Sequence, residues 1–220
     1  FGAGSVVAVS LTRAAAGELA GRVEGLPRQA VGTLHAMCYR LLDHPTIAES
    51  KLAEWNARHP QFAVSVSADV RNLEHDGDVA AGTGAGQDLY EGMQLFRHRR
   101  TSLAGTRYEA FAKMWSEWCE ENGYIDFTGL IERALAECPT APGAPLALFA
   151  DETQDMSRLE MDLLLKWGRA ANGAFVAVGD DAQALYTWRG ADPEAFLDAG
   201  ERIVVQKSYR VPATVHARAT

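Results

Sequence analysis

Basic residues are in short supply: 21 Lys and Arg stand against 29 Asp and Glu, a formal net charge of −8. That balance argues against a general polyanion-coating protein, although a local nucleic-acid groove depends on where charges sit, not on their sum. Cysteine is scarce too. Cys38, Cys119 and Cys138 are odd in number, far apart and without paired metal spacing, so they read as free thiols of a reducing compartment, the cytoplasm. No run approaches the roughly 20 apolar residues of a membrane span, and no signal-peptide pattern opens the chain. A Gly-x-x-x-x-Gly-Lys-Ser/Thr phosphate loop is also missing. The glycine-rich run 82–86 has no strand before it and no Gly-Lys after it, and reads as part of a mobile loop around 76–86. The chain starts at Phe1 without Met and stops at Thr220 inside a helical pattern, so it is expected to be a piece of something longer.

What is present is a globular composition, 47% hydrophobic, organised around one stretch. Residues 146–150 are an uninterrupted apolar run, followed by Asp151, Glu152, Thr153, Gln154 and Asp155. Such a run suits a strand buried on both faces of a parallel sheet, where ligands gather at the carboxyl ends of the strands. Of two adjacent carboxylates there, one can hold Mg²⁺ and the other can take a proton from an attacking water or orient it. An ordinary acidic strand end, or a helix N-cap, is the plain alternative.

The rest of the chain keeps an α/β rhythm with one interruption. Residues 5–10 read as a strand, 14–23 as a helix, 30–35 as a second strand and 36–42 as a helix. From 43 to 107 no convincing buried strand occurs, which predicts an inserted, mainly helical subdomain dividing a sheet domain made of 1–42 and 108–220. Arg97, His98, Arg99 and Arg100 form the densest basic cluster, either a contact for a nucleic-acid backbone or a solvated helix end. Phe111, Met114, Trp115 and Trp118 fall at helical spacing and read as core. Further strands are expected at 174–178 and 203–205, with polar tips at 179–191 and 206–210 and a helix opening near Pro212. Five strand ends with functional side chains would therefore converge on one edge.

The motifs at those ends resemble the superfamily 1 DNA helicases of the UvrD/Rep/PcrA type. Asp-Glu-Thr-Gln-Asp (151–155) is similar to their Walker B element, Asp-Glu-Phe-Gln-Asp, and Gly-Asp-Asp-Ala-Gln-Ala-Leu-Tyr-Thr-Trp-Arg-Gly-Ala (179–191) to their third motif. Ser208-Tyr209-Arg210 resembles Asn-Tyr-Arg of the fourth. The block 10–19, Gly32-Thr33-Leu34-His35 and Ile125-Asp126-Phe127 match further family elements, with Leu11 and Leu34 standing where relatives carry aromatics. The resemblance implies a RecA-like P-loop NTPase sheet flanked by helices with an inserted helical subdomain, using ATP and Mg²⁺. It implies that Asp151 holds the metal, Glu152 activates water, Gln183 senses the γ-phosphate and Arg210 stabilises its charge. Tyr209 would stack on the nucleotide base and Gln154 would also touch the nucleotide. Thr12, Arg13, Thr33, His35, Tyr186, Trp188 and Arg189 would line a path for single-stranded DNA, Trp188 being the best stacking ring.

On that resemblance the parent is expected to be an ATP-dependent DNA helicase or translocase moving 3′ to 5′ and opening duplex junctions. The fragment by itself is expected to be inactive, because the phosphate loop and the second RecA-like domain are absent. Two alternatives remain: a non-catalytic helicase-like module that binds DNA or protein, and a subunit of a helicase–nuclease. A sheet edge left open by a missing strand would favour self-association.

Overall fold

A computed structural model describes residues 5–22, 25–65 and 84–205. The chain begins with β1 (Val6–Ser10), α1 (Arg13–Arg22), β2 (Val31–Thr33) and α2 (Leu34–Leu41). It leaves the sheet through a two-residue strand, β3 (Thr46–Ile47), and runs through α3 (Leu52–Arg58), α4 (Ala85–His98) and α5 (Glu109–Asn122). It returns through β4 (Tyr124–Ile125) to α6 (Phe127–Glu137), β5 (Ala147–Ala150), α7 (Arg158–Ala170), β6 (Ala174–Ala177) and the short α8 (Pro193–Leu197).

Apolar strands pair in the order β2-β1-β5-β6, and every ladder is parallel. This is the expected α/β class, a parallel sheet flanked by helices. On one face Val7, Val9, Leu148 and Ala150 meet Met37 of α2, Leu130 and Ile131 of α6, and Leu163, Leu164 and Trp167 of α7. Each such large side chain, fully buried, contributes about 1.5–3 kcal/mol. On the other face the register places Val31, Ala8, Phe149 and Val176 in one row across the sheet. There α1 covers only the first two, through Ala16. Phe149 and Val176 stay 40% and 39% exposed.

Local sequence explains where the helices start. The Thr33 hydroxyl accepts from Ala36 N–H at 3.3 Å and the Asp126 carboxylate from Gly129 N–H at 2.6 Å. Ser157 and Glu160 form a reciprocal capping box at the head of α7. Gly123, with φ of 68°, closes α5 in the left-handed conformation that glycine adopts without strain.

A second core lies away from the sheet. Trp55, Phe111, Trp115, Trp118, Tyr90 and Met93 pack together, with Trp55 ring centroids 5.0 Å from Trp115 and 5.4 Å from Trp118. The aromatic stripe of α5 was expected as core, and it is. Its partners, however, are α3 and α4, whereas a boundary at 107 would group it with the sheet. β3 and β4 pair in parallel at the root of this body, Thr46 against Tyr124 and Ile47 against Ile125.

Residues 203–205 do not form the expected strand. Ile203, Val204 and Val205 are 87%, 70% and 79% exposed and join no ladder among the described residues. A β-branched run makes a strand only beside a partner, and here it meets none. The expected loop around 76–86 lies mostly outside the described residues, and its last members, Ala85 and Gly86, open α4. The helix expected near Pro212 also lies outside them.

Candidate functional site

Because the four strands run parallel, their carboxyl ends share one edge, and the motif residues converge there. Asp151 leaves β5 half-buried, its N–H donating to Val9 O at 2.9 Å. Glu152 follows in the left-handed region, φ 54°, with its side chain in solvent. For a residue with a Cβ that conformation costs roughly 1–2 kcal/mol and persists only where neighbours enforce it. Thr153 is the enforcer. It is fully buried, and both its N–H (3.0 Å) and its hydroxyl (2.8 Å) donate to Val178 O.

Gln154 joins the acidic pair to the end of β6. Its amide donates to Glu152 Oε2 at 2.7 Å and to Asp155 Oδ2 at 3.2 Å, and its Oε1 accepts from Asp180 N–H at 3.1 Å. At 2% exposure it is an interior strut rather than an open nucleotide contact. Gly179 makes room for it: a Cβ there would sit 2.5 Å from Gln154 Oε1. Gln183 is exposed and donates to the Asp180 carboxylate, which also accepts from Ala182 N–H at 3.2 Å.

The tip that follows is pinned at both ends. Asp155 Oδ1 accepts from Leu185 N–H at 2.9 Å and from Tyr186 N–H at 3.4 Å. At the far end Gly190, φ 98°, packs on the end of α4, where a Cβ would approach His98 Cβ to 3.1 Å. Between these anchors Leu185 and Trp188 project into solvent at 73% and 68% exposure. The Arg189 guanidinium lies 5.5 Å from the centroid of the half-buried Tyr186 ring.

At the β1 and β2 ends, Thr12 and Thr33 are helix caps, accepting from Ala15 and Ala36 N–H groups at 3.1 and 3.3 Å. Thr33 is only 7% exposed, which leaves little of it for a ligand. Arg13 is exposed. His35 is half-buried, set edge-on to Phe127 at 5.9 Å, and burial pushes its imidazole down to about 4, so it is neutral at pH 7. Leu34 is 3% exposed and belongs to the core, as does the partly buried Leu11.

The basic cluster at 97–100 fits neither expectation as a unit. Arg97 is locked between Asp126 and Glu132, donating to Asp126 Oδ1 at 3.0 Å and Glu132 Oε2 at 2.6 Å. Arg100 pairs with Asp162 at 2.6 Å, and exposed Arg99 reaches Thr187 O at 3.5 Å. His98 bridges Ser157 Oγ at 3.0 Å and Thr128 Oγ1 at 3.2 Å. The Ser157 hydroxyl gives its proton to Glu160 Oε2 at 2.8 Å, so the Nδ1 of His98 must carry hydrogen. Burial lowers the His98 imidazole. The same burial would raise Glu160, but His98, His35 and the Ser157 hydrogen bonds outweigh it and hold that carboxylate low.

Asp155 and Asp180 stand inside the motifs 151–155 and 179–191, which give them no role of their own, and His98 stands out in the sequence only as one member of the basic cluster. For Glu160 the signal is the Ser157-x-x-Glu160 capping signature. Tyr209 and Arg210 lie outside the described residues.

Among the described residues no three His, Cys, Asp or Glu side chains gather into a metal cage. Mg²⁺ does not need one, since it binds through one or two carboxylates together with water and phosphate oxygens. Asp151 and Glu152, at a strand end with one half-buried and one exposed, suit that donor set.

A parallel sheet carrying this acidic turn and aromatic tip is that of a helicase motor domain: the chain belongs to the UvrD/REP helicase family, matching its N-terminal domain over residues 2–203. Among curated proteins it is 33% identical over 129 residues to an ATP-dependent helicase/nuclease subunit of Syntrophomonas wolfei, covering 56% of this chain and 9% of that protein. It is 27% identical over an alignment of 234 residues to the ATP-dependent DNA helicase UvrD2 of Mycobacterium bovis and of Mycobacterium tuberculosis. That match covers 91% of this chain and 33% of those proteins, so the chain spans a third or less of the relatives' length.

Proposed function

We propose that this chain is the greater part of the first motor domain of an ATP-dependent DNA helicase that moves 3′ to 5′ on single-stranded DNA and opens duplex junctions. The observation that carries the reading is a hydrogen-bonded path from the acidic turn to the aromatic tip. Gln154 ties Glu152 to the Asp180 backbone, and Asp155, one residue on, holds the backbone of Leu185 and Tyr186. A change in what Asp151 and Glu152 bind is thereby transmitted to the segment that presents Trp188.

Asp151 would hold Mg²⁺ at this edge, where the ion would supply neutralisation of phosphate charge. Glu152 would orient the attacking water and take its proton, and Gln183 would report the state of the γ-phosphate. Tyr209 and Arg210 would add base stacking and charge stabilisation beside a second RecA-like domain. Thr12, Arg13, His35, Tyr186, Trp188 and Arg189 grip the strand, with stacking on an exposed ring worth about 1–3 kcal/mol per base.

Handedness supports a position for the phosphate loop. Among the described residues β6 is an edge strand, and β1–α1–β2 steps away from it. A strand beside β6 whose helix returns to β1 steps in the same direction, so a right-handed crossover puts that helix on the α1 face. That is where Phe149 and Val176 lie uncovered. We place the phosphate-binding strand–loop–helix there. In the isolated 220-residue chain the same open edge would favour pairing with a second copy. The three buried free thiols accord with a cytoplasmic protein.

The similarity to a helicase/nuclease subunit supports a second reading, in which the motor serves a nuclease complex. The test is ATP hydrolysis by the complete gene product with and without single-stranded DNA, with Glu152→Gln beside it. Stimulation by DNA that the variant loses while still binding ATP supports the motor. Absence of hydrolysis with any nucleic acid leaves a non-catalytic binding module instead.

A further inference from the structure

The carboxyl edge ends at β2, and the surface beyond β2 is not flat. A cleft of about 140 Å³ runs down the groove between α2 and α6, lined by His35, Tyr39, Arg40, His44 and Phe127. Its walls are rings: His35 stands edge-on to Phe127 at 5.9 Å, and Tyr39 edge-on to His44 at 4.8 Å. Arg40 supplies the positive charge, its guanidinium fixed by a hydrogen bond to Gln29 O at 3.1 Å.

The far wall is built by an unusual backbone. Asp43 and His44 take φ of 59° and 57° in succession, two residues with side chains in the left-handed region at the end of α2. The turn is closed by His44 N–H donating to Tyr39 O at 2.9 Å, and it swings the His44 ring back against Tyr39. Both Asp43 and His44 are exposed, so the turn holds their side chains at the surface. Strained backbone of this kind concentrates at ligand clamps.

The size of the cleft selects its occupant. It is well below the roughly 300–1,000 Å³ of pockets that engulf a whole small molecule, so what enters is one ring system of a longer ligand. Aromatic walls with a fixed guanidinium suit a planar base carried on a phosphate chain. Position agrees. A strand laid across the carboxyl edge from the β6 tip passes β5 and β1 and reaches His35 last, at the mouth of the cleft.

We propose that this α2–α6 cleft is a base-binding subsite, receiving one nucleobase of a single-stranded nucleic acid as it leaves the sheet edge at His35. The subsite rests on the strand-binding reading above and extends it past β2, to Tyr39, Arg40 and His44. A base seats against Tyr39 and His44, and Arg40 holds the adjoining phosphate.

The test is fluorescence anisotropy of the full chain with a labelled oligothymidylate of about 16 nucleotides, within the range of known single-strand footprints. Tyr39→Ala/His44→Ala should weaken binding about fivefold or more, the loss expected for one stacked base. Abasic spacers at one end of the oligonucleotide should weaken the unmodified chain as much and leave the double variant unaffected. Because Tyr39 is half-buried, His44→Ala alone and Arg40→Gln are measured beside it. Photo-crosslinking of 4-thiothymidine oligonucleotide should also mark the peptide 35–44. If Trp188→Ala weakens binding while the α2 variants bind normally and crosslinks avoid 35–44, the subsite is wrong and the strand-binding reading stands. If the unmodified chain binds no oligonucleotide at low salt, both fall.

Discussion

In the helical core charge is buried and paired, whereas at the carboxyl edge of the sheet it is exposed and held in readiness. Asp126 accepts hydrogen bonds from Arg97, Trp115, Gln94 and the Gly129 backbone while only 4% exposed. Burial alone would raise its carboxyl, but Arg97 and these donors outweigh burial and hold it below the usual range. Asp151 and Glu152 have no such enclosure, and Glu152 sits on a strained residue in solvent. One region spends its carboxylates on holding three segments together. The other keeps them where a cation and phosphates can reach. The difference is one of enclosure: an acid buried and filled with donors has no capacity left for a ligand, whereas one at an open strand end does.

The largest test of that contrast is Asp126→Ala. It leaves Arg97 with one carboxylate, Glu132, and strips the buried Trp115 and Gly129 donors of their acceptor, and breaking a buried network in this way costs roughly 3 kcal/mol. Urea unfolding should show the loss, and a change below 1 kcal/mol would mean the network is not structural. Next comes Glu49, the helical core's unusual acid. It is 1% exposed, its Oε1 accepts from Tyr90 O–H at 2.6 Å and Phe127 N–H at 3.1 Å, and its Oε2 has no partner among the described residues. Burial, then repulsion from Asp126, pushes it up to about 8. With the folded value above the unfolded one, its contribution is complete below about 4.5 and is lost as pH rises toward 8, by at most about 1.4 kcal/mol per unit. Glu49→Gln, which imitates the protonated acid, should match the parent near pH 5 and be the more stable above pH 8. Melting curves that stay parallel across that range would refute it.

His35 titrates in the opposite sense. Its folded value near 4 lies below the ordinary 6.5, so its contribution is whole above 6.5 and fades as pH falls toward 4. The smallest expected effect is at the acidic turn. Glu152→Gly relieves the left-handed conformation and should raise stability by about 1 kcal/mol, although Glu152 is the residue proposed to activate water. A drop in melting temperature would show that Glu152 is not strained.

Much of this was legible from local pattern. The run 146–150 followed by an acidic pair suits a strand with a polar end, and β5 with its parallel neighbours forms there, although Phe149 stays exposed on one face. What stayed hidden was set by distant partners. Nothing near Arg97 announces that residues 126 and 132 will neutralise it, so a basic cluster looked like surface. Gln154 is expected at the nucleotide from its motif position, and in the structure its amide is held by Glu152, Asp155 and the Asp180 backbone, in space that Gly179 leaves free. The residues 203–205 have strand composition without a neighbour to pair with, and propensity cannot supply one.

The β3–β4 clasp has a consequence for how such a molecule changes over time. The chain that departs at Ile47 and the chain that returns at Tyr124 lie side by side, a strand spacing of about 4.8 Å apart. Whatever is threaded between them adds little closure entropy, about 0.6 kcal/mol for each doubling of length. The sheet domain therefore behaves as a socket. Guest segments of quite different size can be grafted at that doorway, provided each is long enough for the crossover that two parallel strands require.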